Sequence, residues 1–449
     1  MTHQRNYSMD VGALARVEGE GGLRVVVQDG SVSDVALNIY EPPRFFEAFL
    51  VGRHFREVPD ITARICGICP VAYQMSSCAA IEAALDVEVS EQVNALRRLL
   101  YCGEWLQSHA LHIYFLHAPD FFGCQDAVEL ASLSPSAAEA VKRGLALKRV
   151  GNQLMEVVGG RSVHPVNVQV GGFYKAPAPG ALRTLKAPLQ QALAASLETV
   201  EWVSRFEFPD IEGDYVFVAL QDPARGRYPI EGGRVASSSG LDLTPAQFAE
   251  VAVEEHVERS SALHCRLYGR VPYLTGPLAR YALNSGTLSP LAREAASRAG
   301  LAIGGACRNP FRSIVVRALE LVVACEDALR TIEEYEPPSP PAAVVPPGPE
   351  PGPGTLDVVA GAGATEAPRG LLLHRYEIGP GGLIKRARIV PPTAQNQLAI
   401  ESDLREVAEC GLDLPTEELT RRAEVAVRNH DPCISCAAHF LDVKVERRP

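Results

Sequence analysis

Two Cys-x-x-Cys segments stand near opposite ends of this 449-residue chain, Cys66-Gly67-Ile68-Cys69 and Cys433-Ile434-Ser435-Cys436. A fold that joins them must bring the two ends of the protein to one point. Each segment places two sulfurs within reach of a single metal ion, and soft thiolates select zinc, iron–sulfur or another soft centre. From the spacing alone, a four-cysteine structural zinc site and a thioredoxin-like redox pair both remain open. Zinc ribbons, however, close loops of roughly 15–20 residues, and tying a whole chain around a merely structural ion is costly. The other seven cysteines (Cys78, Cys102, Cys124, Cys265, Cys307, Cys325 and Cys410) stand alone. They are expected to be small buried apolar groups rather than parts of a disulfide framework.

The length would by itself suggest two or three domains. A formal charge of −11 argues against nucleic acid as the main partner, because phosphate binding needs a basic face. No apolar run reaches the ~18 residues that span a bilayer. The start, MTHQRNYSMD, has no apolar h-region, so a signal peptide is not expected. A cytoplasmic protein is the reading, with export on a signal-bearing partner as the alternative.

Leu23–Val27 and Val32–Tyr40 read as strands around a Gln28-Asp29-Gly30-Ser31 turn. Helical stretches are expected from Ser90, a plausible N-cap, to Leu116, and near 184–205, 245–266, 289–299 and 311–335. Thr244 can cap the third of these, and Asn309-Pro310 leads into the last. Together they are expected to form a central bundle. Residues 337–354, PPSPPAAVVPPGPEPGPG, are too rich in Pro and Gly for helix or strand and read as a surface loop or linker. LLLHRYEI and LIKRARIV flank Gly379-Pro380-Gly381-Gly382 as a hairpin, and a final helix is expected near 397–409.

The flanks of the cysteines carry more information. Arg64-Ile65 precedes the first pair, and Asp431-Pro432 and Ala437-Ala438-His439 surround the second. Together these resemble the two metal-binding signatures of nickel–iron hydrogenase large subunits. The similarity continues through RVEGEGG (16–22), PPRFFEAFLVGR (42–53), GGRSVHPVNVQVGG (159–172), PRG (368–370) and PTAQN (392–396). The resemblance implies an α+β, mainly helical fold: a central helix bundle with small peripheral β-sheets, forming one large-subunit domain over 1–449. It also implies a catalytic subunit for the reversible heterolytic cleavage of H2.

Carried over residue by residue, the resemblance implies Cys66 and Cys433 as terminal nickel ligands and Cys69 and Cys436 as bridges to an iron that bears carbonyl and cyanide ligands. Splitting H2 needs a Lewis-acid metal and a nearby base. A metal-bound thiolate, Cys433 among them, can be the first base, and Glu18 matches the carboxylate that carries the proton onward. Arg369 matches the arginine over the iron site, where a fixed cation can bind a cyanide. Thr393 matches the hydroxyl residue that donates to the other cyanide. Glu47 and His439 match the ligands of a magnesium-like ion. His109, His112 and His117 resemble the family's histidine-rich helix, as a proton network or as satisfied core groups.

Three positions depart from the family pattern. Tyr73 stands where the first signature commonly has His; its phenol can still donate toward a bridging sulfur but titrates far from neutral pH. Ser108 stands where many hydrogen-consuming members carry Asp. PTAQN lacks the tryptophan of many membrane-associated members. The chain is most like the cytoplasmic bidirectional, NAD(P)-linked or sulfhydrogenase alpha-type branch. It has no G-x-G-x-x-G fingerprint, so NADP or NAD would bind a partner. The implied partners are an iron–sulfur small subunit, flavin-bearing NAD(P) reductase subunits, maturation proteins and a C-terminal protease that cuts after His439 to remove 440–449. The competing readings are a hydrogen sensor, a non-catalytic homologue and a structural zinc protein.

Overall fold

The computed structural model describes residues 6–438 apart from 43, 223 and 351–357. The expectations for His439 and for the tail 440–449 lie outside them. The chain opens on an antiparallel meander of β1 (Tyr7–Val11), β2 (Gly21–Gln28) and β3 (Ser31–Ile39). Leu23, Val25 and Val27 alternate inward along β2, as a half-buried strand requires. Asp29 and Gly30 take φ of 52° and 75°, the left-handed pair that closes a two-residue hairpin.

The helical body follows: α1 (Pro70–Leu85), α2 (Glu91–Leu111), α3 (Pro135–Gly159), α4 (Lys186–Ser204) and α5 (Ser313–Glu333). Ser90 caps α2, its hydroxyl accepting the Val93 N–H at 3.3 Å. At its end α2 widens into a π-turn over His112–His117. The backbones of α2 and α3 meet at two glycines. A Cβ on Gly151 would come within 2.6 Å of Gly103 O, so only glycine permits this crossing. Inside the bundle, Arg97 grips Glu82 through two bonds of 2.8 and 2.6 Å, and Arg280 grips Glu320 through two of 2.7 Å. Removing one partner of such a buried pair would strand a charge, at about 3–5 kcal/mol.

A second antiparallel sheet, β4 (Val359–Ala367), β5 (Gly370–Ile378) and β6 (Ile384–Val390), lies against α1. Here too the approach is set by missing side chains. A Cβ on Gly361 would stand 2.3 Å from Ala80 O, and one on Gly363 would stand 2.5 Å from Ala80 N. The chain closes with α6 (Pro392–Cys410) and α7 (Thr416–Asn429), whose Leu404, Val407 and Leu419 cover the inner face of the first sheet. No described helix is long and apolar enough to cross a membrane.

The mainly helical architecture and both predicted hairpins are present, but several elements differ from expectation. The stretch 245–266 is not one helix. Thr244 caps a short helix, Pro245–Val251, which gives way to a strand pair, Ala252–Glu255 with His264–Leu267. Arg388 ends the helix by donating to Ala249 O at 2.5 Å and to Ala252 O, and it holds Glu254 at 2.9 Å. Residues 337–350, in the expected surface loop or linker, are tied to the body: Ala343 N–H donates to Gly171 O at 2.9 Å, and Phe173 N–H to Pro341 O at 3.0 Å, while 351–354 lie outside the described residues. Helices α1, α3 and α7 and strands β1 and β4 add to the expected set, and α6 starts at Pro392, ahead of 397. Cys410 is exposed at the end of α6, unlike the other lone cysteines.

Candidate metal centre

The first cysteine pair is set by a turn and a helix start. A 3-10 turn over Ala63–Ile65 delivers Cys66 in an extended conformation, and Pro70 begins α1 directly after Cys69. Pro suits a first helical position because its missing N–H would have no partner there. No side chain of the segment itself caps α1. Glu104, reaching over from α2, accepts Val71 N–H at 2.6 Å and Ala72 N–H at 3.1 Å. Ile68 and Cys69 aim their N–H groups at Cys66 Sγ, at 3.3 and 3.4 Å, and Gln107 holds Ile68 O at 2.6 Å.

The second pair is placed by the chain's beginning. Glu18 O accepts the Ile434 N–H at 2.9 Å, bridging residue 18 to the strand-like backbone at Cys433. Gly19 has φ 89°, and a Cβ there would meet Ile434 Cβ at 2.7 Å, which explains the glycine in RVEGEGG. Arg44 ties the two pairs together. It donates to Ile65 O at 2.8 Å and to Ser435 O, and its own N–H donates to Ala438 O at 2.9 Å.

All four sulfurs converge, with their atoms within 4.8 Å of one another and every cysteine buried. The first members of the pairs face each other, Cys66 Sγ to Cys433 Sγ at 3.5 Å, as do the second members, Cys69 to Cys436 at 3.8 Å. The sulfurs of Cys433 and Cys436 lie side by side. As metal ligands all four would be thiolates. In the first pair, the hydrogen bond between the two thiols lowers Cys66 and raises Cys69.

The surroundings are asymmetric. Cys433 Sγ and the Ser435 N–H both lie 3.1 Å from Glu18 Oε2. Thr393 Oγ1 accepts the Cys433 N–H at 2.9 Å, leaving its own proton to donate. Arg369 is fixed by Asp431, donating to its O at 2.7 Å and its Oδ1 at 3.0 Å. The Nη1 of Arg369 is buried and finds no partner among the described residues, close enough to Cys69, Cys66 and Glu18 to feel their charge. Four thiolates around zinc would offer that donor only sulfur acceptors. A centre carrying further small acceptor ligands would satisfy it, so the donor set fits a nickel–iron group better than a closed zinc site. The hydroxyl of Tyr73 is likewise buried and unpartnered among the described residues, and burial holds it neutral, well above the usual phenol range.

Glu47 lies apart from the sulfurs. It accepts the Ile389 N–H at 2.6 Å beside a cleft of about 750 Å³ that Glu254 and Arg388 also line, and burial pushes it up to about 8. The three histidines do not share one regular helix. His109 lies on α2, while His112 and His117 lie on the π-turn. Their contacts lead to Glu320 (3.0 Å from His109 Nε2) and to Arg428 O (2.8 Å from His112 Nε2), not to the cysteines. Burial lowers all three, His109 to about 4 and His117 to about 3, so they are neutral near pH 7. Ser108 is buried nearby. Roles for Arg44, Glu104 and Asp431 were not assigned from sequence. Arg44 and Asp431 sit inside the quoted motifs, whereas nothing local marks Glu104.

A family model described as nickel-dependent hydrogenase matches residues 44–146. The chain is 33% identical over 431 residues to the sulfhydrogenase 1 alpha subunit of Pyrococcus furiosus, covering 95% of this chain and 97% of that one. It is 27% identical over 472 residues to the NAD-reducing hydrogenase HoxS subunit beta of Cupriavidus necator, covering 95% and 94%. A solved NAD+-reducing NiFe hydrogenase in its H2-reduced state superposes with a TM-score of 0.85 at 26% identity, over 96% of this chain and 99% of that one.

Proposed function

Since the chain belongs to the nickel-dependent hydrogenases, as a catalytic large subunit that cleaves dihydrogen, we propose that Cys66, Cys69, Cys433 and Cys436 hold its nickel and iron and that Glu18 receives the proton through Cys433. The observation that carries this reading is the 3.1 Å approach of Glu18 Oε2 to Cys433 Sγ inside a cluster of four buried sulfurs. When bound, the centre supplies a Lewis acid that polarises H2 and a sink for its electrons. Cys66, Cys69, Cys433 and Cys436 would hold the nickel and iron together, and the family resemblance assigns Cys66 and Cys433 to nickel and Cys69 and Cys436 to both metals. The free Nη1 of Arg369 and the hydroxyl of Thr393 would be donors for small acceptor ligands, such as cyanide, on that iron. The Tyr73 hydroxyl, a neutral phenol without a partner among the described residues, could donate toward a sulfur of the centre. Glu47 and His439 would take a magnesium-like ion.

The described residues hold one cluster of metal-capable side chains, so electrons must leave through partners. An iron–sulfur small subunit would dock where the first pair nears the surface. There Gly67 is exposed, with Val163, Val166 and Tyr174 as exposed apolar neighbours of the His164 segment. Flavin-bearing reductase subunits would pass the electrons to NADP or NAD; two relatives' names speak of NAD reduction. The chain works as one cytoplasmic catalytic domain over 1–449, loaded by maturation proteins and trimmed after His439 by a protease.

Glu18→Gln tests the base. The amide keeps the shape but takes no proton, so nickel and iron content should hold while H2/D2O exchange falls by about 10²–10⁴. Exchange at the normal rate would move the base elsewhere, and zinc as the only bound metal would remove the centre itself.

A further inference from the structure

Arg317, one turn into α5, is 1% exposed and forms no ion pair with a described residue. Asp431 and Glu320, the acids whose charge reaches it, are already held by Arg369 and Arg280. Its Nη1 donates to Ser313 Oγ and to Asn429 O, both at 2.9 Å, and its buried Nε has no partner among the described residues. Burial lowers it to about 10, so it is still a cation at neutral pH. A charge in such a place needs a partner of opposite sign. Beside it lies a cavity with about 10 Å³ of free space, whose wall includes Thr275, Pro277, Ser313, Arg317, Asn396 and Asn429. No described carboxylate lines it. Two helices begin at this wall, Pro277–Asn284 and α5, and no side chain caps either start. The free N–H groups and the dipole of a helix start favour an anion. Asn429, also 1% exposed, brings an amide whose nitrogen and oxygen are both unpartnered among the described residues. Thr275 Oγ1 accepts the Leu371 N–H at 2.7 Å, which leaves its own proton to give.

We propose that this cavity is a binding site for a monatomic anion, a halide such as chloride, held by Arg317, Asn429 and Thr275. Its size admits one small occupant and excludes sulfate or phosphate. Water would satisfy the orphaned donors but leave the guanidinium charge uncompensated, whereas a halide does both. The site lies outside the sulfur cluster and braces the turn that leads to it. Asn429 O also accepts the Ser313 hydroxyl at 2.6 Å, and two residues further on Asp431 holds Arg369.

The test uses the loaded enzyme. Purified and crystallised in bromide in place of chloride, it should show an anomalous-scattering peak in contact with Arg317 and Asn429. In solution, at fixed ionic strength with gluconate as the replacement anion, its Tm should rise by about 1–2 °C for each tenfold increase in chloride beyond the Kd. Arg317→Gln should lose this slope. Arg298→Gln, which removes an arginine that is 80% exposed, should keep it. A water at the position with no bromide signal, a wild-type Tm indifferent to chloride, a full slope in Arg317→Gln, or loss of the slope in Arg298→Gln would each overturn the site. If Arg317→Gln does not fold, the bromide crystal and the wild-type slope decide.

Discussion

Gly363→Ala adds one methyl group far in sequence from any cysteine, yet it should loosen the metal centre. A Cβ there would stand 2.5 Å from Ala80 N and 2.6 Å from Ala79 Cβ, whereas ordinary contacts begin near 3.4 Å. The deficit is about 0.9 Å, and on both sides it falls on backbone or a methyl that cannot swing away. Either β4 or α1 must shift by roughly that distance. Gly363 is not among the positive-φ glycines, so the cost is contact and not backbone strain. Overpacking of this kind costs roughly 1–3 kcal/mol. Because Cys69 immediately precedes α1, part of the shift reaches the 3.8 Å gap between Cys69 and Cys436. Thermal melting and nickel and iron analysis should therefore show a Tm lowered by a few degrees and reduced metal occupancy. Gly286→Ala, whose Cβ would meet nothing within 4 Å, is the control and should change neither. A Gly363→Ala protein with full metal and an unchanged Tm would refute the argument that this close approach seats the cysteine helix.

Cys433→Ser should abolish hydrogen turnover, since an alcohol is a poor ligand for a soft centre and a poor first proton acceptor; full activity with nickel retained would remove Cys433 from the site. His117→Phe should flatten acid unfolding. Burial lowers His117 from 6.5 to about 3, so the unfolded chain binds the proton first and stability drains away as pH falls from about 6.5 to about 3, by a few kcal/mol at most. Denaturant titrations at pH 7 and pH 4 that show the same pH slope in both proteins would contradict this. Intact mass of the active enzyme should end at His439; a fully active chain ending at Pro449 would make the tail a retained element.

The candidate metal centre was legible because its residues sit in contiguous motifs, and the structure brings both cysteine pairs, Glu18, Thr393 and Arg369 together around the sulfurs. The caps at Ser90 and Thr244 and the Asp29-Gly30 turn were legible for a similar reason, since each is a local bargain between a side chain and its own backbone. Helix α1 was not. Val71, Tyr73, Met75, Cys78 and Ile81 are buried on all sides, so no apolar stripe marks the helix. The glycines at 144, 151 and 159 weaken α3 as a local helix, and they are there because neighbours press on them. The reading of 245–266 as one helix failed because Arg388, from a strand more than a hundred residues away, ends the helix at Val251. Arg44 and Glu104 act over distances that no spacing rule records.

The bridge from residue 18 to Cys433, and the grip of Arg44 on both cysteine segments, have a consequence for synthesis. A ribosome releases Cys66 and Cys69 about 360 residues before Cys433 and Cys436. At about 5–20 residues per second, two thiols, a carboxylate without its neighbouring sulfur and an arginine without its second carbonyl wait for roughly 20–70 s. During that interval the nascent chain carries half a binding site whose natural partner does not yet exist. Any ion or oxidant that reaches Cys66 and Cys69 first competes with the end of the same polypeptide, so the yield of correctly built centre should depend on translation speed as well as on metal supply.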